Sequence, residues 1–171
     1  MMRVRFISTP AMFMWFIFMF TLDIAHAPLS AESFSGKIKE VEDNGDITFS
    51  DGRRVRLQGI DLPSTSRCYG DERLSYMREQ LVGKNASYTV EKSDLMGKSL
   101  VYVNAGGDVG AELISAGYGF ALLSFDYEKQ DRYIRAQESA RTNHQGLWAR
   151  CEVECDPRGC KTESTFFSCG R

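Results

Sequence analysis

The sequence predicts an α+β fold, mainly β: a five-stranded OB-type Greek-key barrel with about three packed helices. Three observations carry this expectation. Short runs between residues 34 and 103 alternate apolar and polar side chains at period two. One helix-period run lies among them, and two more follow. An open Greek-key barrel with helices against it accommodates that order.

Taken along the chain, Gly36 to Val41 alternates at period two, Asp46 to Phe49 follows a turn, and Arg53 to Ile60 alternates again through Val55 and Leu57. Asp51-Gly52 is the signal of a tight hairpin joining the last two. After Tyr69-Gly70, the residues Leu74, Met77, Leu81 and Val82 recur at helical spacing, with Gly83 as a stop. Ala86 to Val90 and Ser99 to Val103 read as two further strands. Gly110 to Gly117 reads as a short helix, and Tyr127 to His144 as a longer charged one ending at Gly146-Leu147-Trp148.

The 171 residues are 43% hydrophobic and 26% charged, the balance of an ordinary globular protein with one main domain. At the N-terminus, Arg3 and Arg5 precede an apolar run from Phe6 to Leu22 and then Ala25-His26-Ala27, the order of a secretory signal. Residues 1–27 are expected to be removed, with cleavage between 27 and 31. An uncleaved anchor is the alternative, because the apolar run approaches the roughly 20 residues that span a bilayer. Either way the folded part is expected outside the cytoplasm, periplasmic or secreted, with no stable membrane association once the signal is gone. Without residues 1–27 the chain has 19 basic and 22 acidic residues. That balance excludes a globally cationic surface, so any nucleic acid must be met by a local patch.

Cys68, Cys151, Cys155, Cys160 and Cys169 fit an oxidising compartment, and four of them fall within residues 151–171. Disulfides are expected, with one cysteine left over and the pairing open. A zinc site is the rival, though the spacing lacks the paired Cys-x2-Cys knuckles of ribbon-type sites. The tail 151–171 is expected to wrap the 34–150 domain as a stapled appendage.

The ordered set Asn44-Gly45-Asp46, Val55-Arg56-Leu57-Gln58-Gly59-Ile60-Asp61-Leu62-Pro63, Asp94 to Val103, Gly110 to Gly117 and Gly146-Leu147-Trp148 resembles the staphylococcal-nuclease-like (thermonuclease) family from about Phe34 to Trp148. The resemblance implies an OB-type barrel and a calcium-dependent phosphodiesterase acting on DNA and RNA. It implies Asp46, Asp61 and the backbone carbonyl of Leu62 as calcium ligands, chemistry suited to a hard cation. Asp43 is a candidate helper beside them. The resemblance also implies Arg56 as the first phosphate-binding arginine; its place between Val55 and Leu57 turns it away from the core face.

Two departures from the family pattern bear on activity. Lys98 stands in Met96-Gly97-Lys98 where the family has Tyr-Gly-Arg, which keeps charge but loses the bidentate fork. Ser64 replaces the glutamate of Asp-x-Pro-Glu, and general-base assistance is typically worth about 10²–10⁴-fold in rate. Turnover is therefore expected to be slow. Arg53, Arg54, Arg56 and Lys98 form a local basic cluster that favours a phosphate-bearing ligand. Tyr118, Phe120, Phe125, Tyr127 and Tyr133 are either core or a base-stacking platform, and His144 reads as a helix-terminal surface residue.

Three readings follow from these residues. The first is an exported nuclease-family hydrolase of single-stranded DNA or RNA. The second is a catalytically inactive OB-type binding module. The third is a cell-envelope accessory protein, since proteins resembling this family occur among components of bacterial exopolysaccharide (succinoglycan) biosynthesis. The sequence carries no signal of oligomeric state.

Overall fold

A computed structural model describes residues 33–93 and 97–163. The expected signal segment, Asp94 to Met96 and Cys169 lie outside the described residues. Nine strands and four helices follow in order: β1 Ser33–Val41, β2 Ile47–Phe49, β3 Arg54–Leu57, β4 Ile60–Asp61, α1 Gly70–Leu81, β5 Asn85–Ser93, β6 Ser99–Asn104, α2 Val109–Ser115, β7 Phe120–Ala121, α3 Gln130–Thr142, α4 Leu147–Arg150, β8 Val153–Asp156 and β9 Gly159–Thr162. Five strands close a barrel in the order β1-β2-β3-β6-β5. The parallel pairing of β3 with β6, Val55 opposite Ser99 and Leu57 opposite Val101, completes the ring. The expected OB-type barrel is the observed fold.

Alternation builds the barrel interior. Ile38 and Val41 of β1, Ile47 and Phe49 of β2, Val55 and Leu57 of β3, and Val101 and Val103 of β6 are all buried in one cluster. Leu74, Met77 and Leu81 of α1 join it from one end. Each fully buried side chain of this kind contributes about 1.5–3 kcal/mol over exposure. Val82 departs from the expected helical stripe: it lies just past α1 in extended backbone and is 43% exposed.

The run from Arg53 to Ile60, expected as one strand, is two. At Gly59 the backbone turns to φ +74°, and a Cβ there would come within 2.3 Å of the Tyr127 ring, so β3 ends at Leu57 and β4 leaves the barrel to pair with β7. Helix α2 starts at Asp108, whose carboxylate accepts from the Ala111 N–H and also receives the Tyr133 hydroxyl at 3.0 Å and the Lys129 ammonium at 2.9 Å. That network pins α3 on α2.

The described part of the tail is a short hairpin, β8–β9, docked on the domain. Cys68 bonds to Cys151, and Cys155 to Cys160. These four sulfurs are disulfides, not a zinc site. Backbone and side-chain bonds fix the hairpin in place: Cys68 N–H to Glu163 O at 3.1 Å, Arg67 Nη1 to Thr162 O at 2.5 Å, and Leu123 N–H to Arg158 O at 3.2 Å. Cys160 packs with Phe120 and Leu147 in a second small core.

Candidate functional site

Strand β3 turns Val55 and Leu57 inward, so Arg54 and Arg56 share the opposite face. The turn before β2 delivers Asp46 beneath them. Its side chain has no exposed surface, and cations surround it. Arg56 Nε donates to Asp46 Oδ1 at 2.8 Å, the Lys98 ammonium donates to Oδ2, and Arg54 Nε lies 3.4 Å from Oδ2. Asn44 Nδ2 donates to the same oxygen at 3.0 Å, while its own carbonyl accepts from the Asp46 N–H at 2.9 Å. Arg54 also pairs with Glu42. Burial raises the Asp46 carboxyl, but the bonds from Arg56 and Lys98 outweigh it and hold it below the usual carboxylate value.

Asp61 faces different neighbours. The structure puts it at the end of β4, where it lines a cavity of about 330 Å³ with Ser124, Glu154, Asp156, Arg158 and Lys161, the last four from the tail hairpin. The residue is exposed by area, yet lost hydration of its carboxyl in this hollow pushes its pKa up, opposed by a bond from the Leu62 N–H and the charge of Arg67. Leu62 packs against the turn that carries Asp46. Its side chain lies where a Cβ on Gly45 would fall 2.5 Å from Leu62 Cδ1, and only the positive φ of Gly45, +85°, with no side chain, admits it.

The structure thus brings Asp46, Arg56 and Lys98 together, and adds Arg54 and Asn44. Asp61 lines the hairpin cavity. Arg53 is bound elsewhere: its Nε donates to Asp51 at 2.6 Å and its guanidinium lies 4.7 Å over the Phe34 ring. Asp43 pairs with Arg78. Ser64 is exposed and shares a hydrogen bond with Ser66 at 3.0 Å. Of the aromatic set, Phe120 and Tyr133 are core, Tyr127 abuts Gly59, Tyr118 is sandwiched between Tyr69 and Tyr76, and Phe125 is 37% exposed. His144 is exposed just past α3.

The residue that sequence reasoning missed is Arg73. Completely buried on α1, it donates from Nη2 to Asp43 O at 2.7 Å and from Nη2 and Nε to Pro63 O at 3.0 and 3.2 Å. It ties the turn carrying Asp46 to the segment carrying Asp61. A signal was present: Arg73 adjoins Leu74 and stands four residues before Met77, on the inward face of the helix, where a cation demands buried acceptors.

Comparison with known proteins adds two findings. The family model described as staphylococcal nuclease homologue matches residues 54–150. An uncharacterized 38.1 kDa protein of Capnoides sempervirens is 29% identical over 103 residues, which cover 59% of this chain and 30% of that relative. The match therefore spans less than a third of the relative's length.

Proposed function

The chain belongs to the staphylococcal nuclease homologue family, and from that membership we propose that the Asp46-centred cluster grips the backbone phosphate of single-stranded DNA or RNA, with slow hydrolysis of the phosphodiester. One observation carries the reading: three basic side chains, two from β3 and one just before β6, converge on one buried carboxylate, which orients them. Guanidinium and ammonium groups held this way suit the charge on phosphoryl oxygens.

Turnover is slow because Ser64, exposed and bonded to Ser66, offers no carboxylate to take a proton from water. Calcium, the cofactor of the family, needs six to eight oxygens at about 2.3–2.6 Å. The Asp46 carboxylate as it stands does not fit that, because both of its oxygens already accept from cations. We place the protein outside the cytoplasm, periplasmic or secreted, on the signal-like N-terminus and the two disulfides.

The test is fluorescence anisotropy of a labelled single-stranded oligonucleotide, with cleavage followed on gels. Binding that weakens steeply with salt and is lost in Arg56→Ala is the expected result. Equal binding by wild type and Arg56→Ala would overturn the reading.

A further inference from the structure

We infer that Lys98 is a built-in replacement for a divalent cation on Asp46, so that the phosphate site works without metal. The inference rests on the phosphodiester reading for its ligand, though not for its first test. Lys98 is the least exposed cation of the cluster, its side chain 18% accessible against 41% for Arg56 and 46% for Arg54. Its ammonium sits on Oδ2, the oxygen that also takes Asn44 and Arg54, while Arg56 Nε holds Oδ1. A lysine head is a compact point charge with three donors, closer to an ion in shape than a planar guanidinium is.

A calcium ion on Asp46 would have to evict Lys98 from the carboxylate. Lysine in place of an arginine fork therefore has a positive role: it neutralises the buried carboxylate.

The experiment is a pair of thermal melts on the full chain, in calcium chloride and in EDTA, for wild type and Lys98→Ala, followed by oligonucleotide anisotropy in the same buffers. Wild type should melt at the same temperature in both, whereas Lys98→Ala, its carboxylate released, should gain a few degrees in calcium by mass action. Oligonucleotide affinity should be equal within about twofold in the two buffers for wild type, and should depend on calcium only in Lys98→Ala. A calcium-induced rise in wild type overturns the inference, and so does an EDTA-induced loss of wild-type affinity. A variant as indifferent to calcium as wild type overturns the role given to Lys98. If Lys98→Ala fails to fold, Lys98→Gln serves in its place. An oligonucleotide that binds in neither buffer defeats the phosphodiester reading alone, because the melts still decide whether Lys98 stands in for the ion.

Discussion

Asp46, in the turn before β2, and Asp61, at the end of β4, are the same residue type, and they live in opposite electrostatic worlds. Asp46 is fully buried among two arginines, a lysine and an asparagine, and its carboxyl is held down. Asp61 opens into a hollow walled by the tail hairpin, and its carboxyl is pushed up. The difference shows that a carboxylate's position in a motif does not set its chemistry. The cations that other elements bring to it do, and here β3 and β6 bring them to one aspartate only.

The largest blow to this arrangement is expected from Cys68→Ser with Cys151→Ser. Opening a loop of 83 residues costs about 4.5 kcal/mol in the chain-entropy account, and it also loosens the hairpin beside Asp61 while leaving the Asp46 cluster intact. Urea unfolding gives the cost, and oligonucleotide affinity unchanged in the double variant would sharpen the separation of the two corners. Next comes Asp46→Asn, expected to lose about 1.5–3 kcal/mol at neutral pH through its charged hydrogen bonds. Because the folded carboxyl lies below its unfolded value of about 3.9, that stability is present above the unfolded value and fades as pH falls through the folded one. Wild type and variant should converge in acid; a constant gap at all pH would break the electrostatic account.

The smallest effect is expected from Asp61→Asn, with the opposite sign. A folded carboxyl raised above its unfolded value loses stability as pH rises between the two. The variant should melt slightly higher than wild type near pH 7 and at the same temperature near pH 3. A lower melting temperature at neutral pH would mean that the charge of Arg67 outweighs the lost hydration of Asp61 and that the contrast is false.

Much of this was legible in the chain. The barrel strands are half-buried, so Val55 and Leu57 announce their inward face and thereby put Arg54 and Arg56 on the other; α1 declares itself through Leu74, Met77 and Leu81. Arg53 was not separable from that cluster, because a turn aspartate two residues earlier captures it. The break at Gly59 depends on the ring of Tyr127, nearly 70 residues away, and no local pattern carries it. The tail hairpin was illegible because β8 is exposed almost throughout and has no apolar alternation. The hollow around Asp61 depends on where that hairpin docks, a tertiary fact.

The bond between Cys68 and Cys151 also sets a timetable. A chain made from its N-terminus presents Cys68 while its partner is still 83 residues away. Cys155 and Cys160, only five apart, emerge almost together and close their ring on their own. Until the last turn of the domain has emerged, Cys68 is a lone thiol that any other sulfur can capture. The longer bridge is thus a late seal on a finished barrel, and a chain cut short before Cys151 carries an open, reactive cysteine as the mark of its incompleteness.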